Sequence, residues 1–452
     1  MNRPRILFTA PSSGSGKTMI TCAILKALCE RGMNVSSFKC GPDYIDPMFH
    51  EKVIGTKSGN LDLFFASPEQ LKRLFIRNSG DTDISVIEGV MGYYDGLSAA
   101  SAEASSYAVA SALECPAVLI VDSRGQSLSA LAVLKGFMAF REESCIRGVI
   151  FNRMSEGVYS ALKSEVEKLG IKPLGYVPKA DDMVIESRHL GLVTPGEIKD
   201  LSERLKKLAA LLEKTVDIDA LIELAGSAPE MELPSAEELP ALPKTKIAVA
   251  KDEAFCFFYK DNLALLEDLG AELLFFSPIH DSALPQGAQG LVLYGGYPEL
   301  YAKQLSENES MRRAVAEAIA AGMPCLAECG GFMYLHREME DMNGDFYPMA
   351  GVIDAKTYRT NRLGRFGYIT LTAREDTAYI KAGESIRGHE FHYFDSESCG
   401  EAFAAEKPVS GKSWRCIHAD GNLLAGYPHM FYGSNAGMIE RFLRKCSGKE
   451  QS

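Results

Sequence analysis

Two short stretches carry residue types at spacings that suit chemistry. The first, PSSGSGKT at residues 11–18, is a glycine-rich turn ending in Lys-Thr. Backbone N–H groups of such a turn, and of a helix opening behind it, face phosphate oxygens. The lysine reaches the outer phosphates and the hydroxyl after it holds Mg²⁺. Ser13, Gly14, Ser15, Gly16, Lys17 and Thr18 are therefore the candidate nucleotide-binding residues, with Pro11 standing where such loops carry glycine. The second stretch, AECGG at 327–331, sets Cys329 between small residues at the end of the apolar run CLAE. A tight strand-to-helix turn needs small neighbours, and it places a thiol at a helix N-terminus, which lowers its pKa. The Gly330 N–H points where an oxyanion would form, and Gly295 or Gly296 in QGLVLYGG is the candidate second donor. Chemistry alone leaves Cys329 as either a nucleophile or a buried small thiol. A nucleophile needs a base, for which His389, His392 and His429 are available.

A nucleotide site also needs carboxylates for its metal. Glu88 ends the apolar strand DISVIEG, and Asp95 follows in a glycine-flanked loop. FKCGPDYIDP places Lys39, Asp43 and Asp46 just after another predicted strand. Ligands of open α/β sheets bind outside the carboxyl ends of strands, where all three segments fall. Thr18, Asp43 and Glu88 are the candidate Mg²⁺ ligands. Asn152, ending RGVIFN, is either a contact for an adenine edge or a plain turn residue.

The elements that must position these groups are legible as alternation. RILFTA, NVSSFKC, DISVIEG, PAVLIVD and RGVIFN read as strands; KTMITCAILKALCERG, SPEQLKRLFIR and SLSALAVLKGFMAF read as helices between them. That pattern predicts βαβ units and a parallel sheet covered on both faces. Residues 226–244, rich in Pro and Glu without apolar period, read as an exposed linker. A second α/β series follows, with strands at KIAVAKD, AELLFFSP, QGLVLYGG and MPCLAE and helices at NLALLEDLG and ESMRRAVAEAIAAG. The last stretch is richer in strands: FGYITLTA, GHEFHYF and NLLAGYPH. The expected fold class is α/β in two domains: residues 1–225 around a doubly wound P-loop sheet, then 245–452.

With 452 residues each domain can bury its own core. A net charge of −12 excludes general attraction to nucleic acid or anionic lipid. No stretch reads as a signal peptide or membrane span, so a cytoplasmic, reducing location and free thiols are expected for the 11 cysteines. No CxxC pair occurs, which argues against structural zinc.

Nine motifs in order carry a resemblance: APSSGSGKT, FKCGPDYIDP, VIEGVMGYYDG, ESRHLGL, VAKDEAFCFFY, FFSPIHDSALP, LYGGYPE, AECGGFMYL and RGHEFHYF. Together the chain resembles the cobyrinate a,c-diamide synthase family. The resemblance implies a dethiobiotin synthetase-like ATP-binding domain joined to a class I glutamine amidotransferase domain. By motif, Cys329 corresponds to the glutaminase nucleophile and His429, in Tyr427-Pro428-His429, to its base. Relatives often carry a second histidine two places later, where this chain has Phe431. The branch lacks the triad glutamate, so no third member is implied. Asp43, Glu88 and Asp95 fall at positions tied to ATP, Mg²⁺ and substrate activation.

The implied reaction amidates the a and c acetates of cobyrinic acid, using ATP, Mg²⁺ and glutamine. Nickel-sirohydrochlorin or hydrogenobyrinic acid are alternative rings the motifs do not separate, and a P-loop ATPase switch with an inactive C-terminal domain is the alternative of a different class. A polycarboxylate tetrapyrrole needs local cations on an acidic protein. Arg359, Arg362 and Arg365 (with Lys356) in KTYRTNRLGRFGY are the candidate cations, and Lys39 and Asp46 are further candidate substrate contacts; the basic segment reads equally as a solvated basic strand pair. Monomer and homodimer both stay open.

Overall fold

The computed structural model describes residues 2–179, 195–233 and 239–448. The motif ESRHLGL, residues 186–192, lies outside them. The chain divides into two compact units, Met1–Ala236 and Glu237–Ser452, each with its own central sheet.

In the N-terminal unit the strands are β1 (Arg5–Thr9), β2 (Val35–Cys40), β3 (Lys57–Leu61), β4 (Ile84–Glu88), β5 (Ala117–Asp122), β6 (Ile146–Asn152) and β7 (Lys172–Val177). They form one sheet in the order β3-β2-β4-β1-β5-β6-β7, every pair parallel. Both faces are apolar because side chains alternate along each strand. Ile6, Phe8, Val86, Ile120 and Ile150 pack with Ile20, Ile24 and Leu28 of α1 (Lys17–Glu30). Leu7, Phe38, Ile87, Leu119 and Phe151 pack on the other face with Leu71 and Phe75. Edge strands β3 and β7 were not anticipated: KSGNL and KPLGYV carry Gly and Pro, which weaken a strand pattern and are tolerated at edges.

The central sheet of the C-terminal unit follows the same logic. Strands Ala271–Phe276, Thr245–Ala250, Gly290–Leu293, Cys325–Glu328 and Leu423–Gly426 run parallel in that order, with His418–Asp420 antiparallel at the edge. A second, antiparallel sheet includes Phe403–Glu406, Arg365–Ala373, Ser385–His392 and His429–Met430. It accounts for the strand-rich C-terminal stretch.

Apolar anchors lie inside the segment that reads as a linker. Ala228 and Met231 are buried on the N-terminal unit, where the Pro229 carbonyl accepts from Arg5 Nη2 at 3.0 Å. Leu239 and Leu242 pack on the C-terminal core, and residues 234–238 lie outside the described residues. Among the described residues all 11 cysteines are free, and no helix is long and apolar enough to cross a membrane.

Candidate functional site

The phosphate loop leaves β1, the central strand, and enters α1 through Gly16 at φ 89°. A side chain on Gly16 would overlap Asn152 Nδ2. Asn152, at the end of β6, donates from that nitrogen to the Ser15 carbonyl at 2.8 Å and is 1% exposed. It braces the loop from beneath. Ser15 is buried with its hydroxyl on the Ser12 carbonyl; Ser13 and Gly14 are exposed.

Lys17 Nζ donates to the Met91 carbonyl at 2.6 Å. Burial, and then the charge of Lys39, lower its ammonium to about 8; a phosphate anion would restore it. The Thr18 hydroxyl donates to Glu88 Oε1 at 2.5 Å, and Lys39 Nζ donates to the same oxygen at 2.7 Å. This meeting follows from register, since Lys39 on β2 stands directly opposite Glu88 on β4. Lys39 also reaches Asp46 Oδ2 at 2.5 Å. All three are buried, so Lys39 and Asp46 are not the substrate-facing pair expected but one internal ion network around Glu88. Burial would push the Glu88 carboxyl up; Lys39 and His50 outweigh it and hold the carboxyl well below its usual range. His50 Nε2 lies 3.4 Å from Glu88 Oε2, and both residues are fully buried. Cys22 of α1 completes that rear wall. Sequence reasoning missed His50, because nothing local marks it; only the helical turn after FKCGPDYIDP carries it to the sheet.

Asp43 is partly buried and accepts from the Ile45 N–H at 2.8 Å. Burial and the Asp46 charge push its carboxyl up to about 7. Asp95 is exposed and accepts from the Gly92 N–H at 2.9 Å. It thus shapes the turn whose Met91 carbonyl holds Lys17, rather than joining Glu88 directly.

In the C-terminal unit, Cys329 sits between the strand Cys325–Glu328 and the helix Gly330–Tyr334 with φ 47° and ψ −104°. A non-glycine residue at that φ is strained, as nucleophile turns are. Its N–H is held by the Gly426 carbonyl at 2.8 Å. A side chain on Gly295 would overlap His429 Cε1 and lie 3.3 Å from Cys329 Cβ. Gly295 therefore marks where Cys329 and His429 converge. A Cβ on Gly330 would meet the Gly296 nitrogen at 3.1 Å, so two of the expected oxyanion donors are neighbours.

The electrostatics differ from the sequence expectation. Burial, then the charge of Glu299, raise the Cys329 thiol above its ordinary value, with the Gly330 N–H only partly opposing them. A five-residue helix does not outweigh loss of water. Burial, then His389 and His392, lower the His429 imidazolium well below its ordinary value. The pair is consequently a protonated thiol beside a neutral imidazole, which is able to take the proton when the thiol attacks.

His389 lies across the strand pair from His429, and the Tyr259 hydroxyl is 3.0 Å from His389 Nδ1. Glu328, next to Cys329, is buried and accepts from the Met430 N–H at 3.3 Å. It ties the nucleophile's strand to the residue following His429. Burial pushes its carboxyl up to about 8 against the Tyr432 hydroxyl beside it.

Residues 246–437 match the CobB/CobQ-like glutamine amidotransferase domain family, and residues 6–192 match the CobQ/CobB/MinD/ParA nucleotide binding domain family. A cobyrinate a,c-diamide synthase of Caldanaerobacter subterraneus subsp. tengcongensis is 40% identical over 96% of both chains. The chain belongs to the cobyrinate a,c-diamide synthase family. Enzymes of that name from Listeria innocua, 41% identical over 97% of this chain and 98% of that one, and Picrophilus torridus, 38% identical over 98% of both, are similar along their whole length. As a family member the protein is a carbon–nitrogen ligase of the glutamine-dependent amidotransferase type with a nucleotide-binding domain.

The basic segment of this synthase family member divides. Arg359 and Arg362 are exposed; Arg359 Nη1 donates to the Met342 carbonyl at 3.2 Å. Arg365 instead points to the inner face of its sheet. Its guanidinium lies 5.5 Å above the Trp414 ring. Despite burial, Glu390, Cys399 and Asp395 raise its pKa. Strand parity turns it inward, which corrects its expected substrate contact.

Proposed function

We propose that the protein amidates the a and c acetate side chains of cobyrinic acid, consuming one ATP and one glutamine at each. Residues 1–225 activate the carboxylate and residues 245–452 supply ammonia. The observation that carries this reading is one chain holding both a phosphate loop over Thr18–Glu88–Lys39 and a Cys329–His429 pair converging on Gly295.

A carboxylate does not condense with ammonia in water, because hydroxide leaves poorly and the anion repels nucleophiles. Transfer of the ATP γ-phosphoryl group to a carboxylate oxygen gives an acyl phosphate and ADP. Lys17, sharing its ammonium with a backbone carbonyl in the resting site, is free to move onto phosphate oxygens. The Thr18 hydroxyl and Glu88 carboxylate, hard oxygens side by side, fit Mg²⁺, with Asp43 as a further ligand; when bound it would neutralise phosphate charge. Lys39 keeps Glu88 ionised whether or not the ion is present.

At the other site, His429 takes the Cys329 proton as sulfur attacks the glutamine amide carbon, with Gly330 and Gly296 or Gly295 N–H groups facing the oxyanion. The proton passes to the amide nitrogen, which departs as NH₃ and leaves a thioester that water cleaves to glutamate and free thiol. NH₃ then displaces phosphate from the acyl phosphate to give the amide. The reaction needs no membrane or nucleic acid, and the cytoplasm supplies ATP, glutamine and reduced thiols.

The test is product analysis by mass spectrometry. Purified protein with ATP, Mg²⁺ and glutamine is offered cobyrinic acid, hydrogenobyrinic acid and nickel-sirohydrochlorin in parallel. Two amidations of cobyrinic acid at the highest kcat/KM are expected. Preference for another ring would reassign the substrate, and none amidated would end the reading.

A further inference from the structure

The second sheet of the C-terminal unit has an outer face that extends beyond the buried His389–His429 pair. Along Ser385–His392 the even-numbered residues are buried and the odd-numbered ones, His389 excepted, are exposed. Register carries that face across three strands. His429 stands opposite His389, and His389 opposite Tyr368. Two residues on, roughly 7 Å along the strand, Phe391 stands opposite Phe366. The rung with the catalytic base is therefore followed, on the same face, by a rung of two phenylalanines.

That second rung is open to solvent. Phe366 is 60% exposed, Phe391 50% and Tyr393 49%. The three rings touch in series, Phe366 to Phe391 at 5.5 Å and Phe391 to Tyr393 at 6.0 Å between centroids. Contiguous exposed aromatics rimmed by polar groups mark a binding surface. Guanidinium groups flank them. Arg387 shares the outer face beyond His389. Exposed Arg362 belongs to a loop pinned to the Tyr393 carbonyl by the Thr360 N–H and hydroxyl, both at 2.7 Å. One carboxylate, Glu406, stands on the same face opposite Thr370.

We infer that this aromatic strip, Phe366–Phe391–Tyr393 between Arg362 and Arg387, is the docking surface for the polycarboxylate macrocycle. Flat aromatic side chains match the face of a ring, and guanidinium groups at either end match its peripheral carboxylates. On a chain of net charge −12 such a pairing is local and specific. The inference rests on the proposed tetrapyrrole substrate.

The experiment uses the full-length protein with ammonium chloride in place of glutamine, so that the glutaminase is bypassed. Tetrapyrrole KM and ATP KM are measured in the same assays for wild type, Phe366→Ala/Phe391→Ala and Arg362→Glu. Loss of two aromatic contacts should raise tetrapyrrole KM about tenfold, and charge reversal at Arg362 should raise it further as salt is lowered, with ATP KM unmoved. Arg362→Glu lies on an exposed loop and keeps the test informative should the double variant fold poorly. A tetrapyrrole KM unchanged in both variants overturns the inference. If that constancy comes with a smaller molar mass in light scattering, the strip joins two copies instead; if it comes with lost glutamine-driven turnover, the strip serves coupling between the units. A wild type that amidates no tetrapyrrole removes the proposed function and this inference together, whereas an active wild type with unaffected variants removes the inference alone.

Discussion

The His429 and His389 rings lie 4.9 Å apart and 17° from parallel, stacked across one strand pair. A histidine that is to act as a base needs a fixed orientation. Here a second imidazole supplies one, itself held by the Tyr259 hydroxyl. Burial, then Lys407, lower the His389 imidazolium to about 3, so this neighbour stays neutral near neutral pH. His389→Ala should lower glutaminase kcat about tenfold or more, with ammonia-driven synthesis preserved. Equal loss with both nitrogen donors would show that His389 only supports the fold.

Asn152 gives a second test. Without its hydrogen bond to Ser15 the phosphate loop loses one brace, a contribution of about 1 kcal/mol. Asn152→Ala should raise KM for ATP and for GTP by the same factor, roughly fivefold. A change in the ATP-to-GTP preference would instead favour the base-edge reading.

Much of this was legible in the sequence wherever chemistry is local. The phosphate loop and the turn at Cys329 depend on glycines and small residues within a few positions, so spacing alone exposes them. Features that arise from strand register were hidden. Lys39 meets Glu88 only because β2 lies beside β4, 49 residues later in the chain. Arg365 faces inward by strand parity, although its neighbours in KTYRTNRLGRFGY suggested solvent. The raised Cys329 thiol reflects burial by distant segments, which no window around AECGG contains.

The ion network under the loop predicts a large stability effect. Lys39→Met leaves Glu88 and Asp46 buried without their cation. Removing one partner of a buried pair costs about 3–5 kcal/mol, so urea unfolding of the N-terminal unit should shift to markedly lower denaturant. Adding Glu88→Gln should recover part of that loss. No shift in the single variant would mean that the pair is solvated in solution.

Glu328 predicts a pH dependence. Burial pushes its folded carboxyl up to about 8, against about 4.3 when unfolded. A group raised on folding contributes stability that is complete below its unfolded value and lost as pH climbs through the folded one. Alkaline conditions should therefore weaken the C-terminal unit, and Glu328→Gln, which keeps an acceptor for the Met430 N–H, should abolish that slope. Between about pH 6 and about pH 9, Tm should fall less in the variant than in wild type. Parallel curves would show that the carboxyl is already ionised in the fold.

The coupling of the two proposed sites through ammonia is tested most directly by Cys329→Ala assayed with cobyrinic acid, ATP and Mg²⁺ under two nitrogen sources. With glutamine, diamide formation should vanish; with ammonium chloride at alkaline pH it should continue near the wild-type rate. Glutamine-driven synthesis persisting in the variant would contradict Cys329 as the source of ammonia.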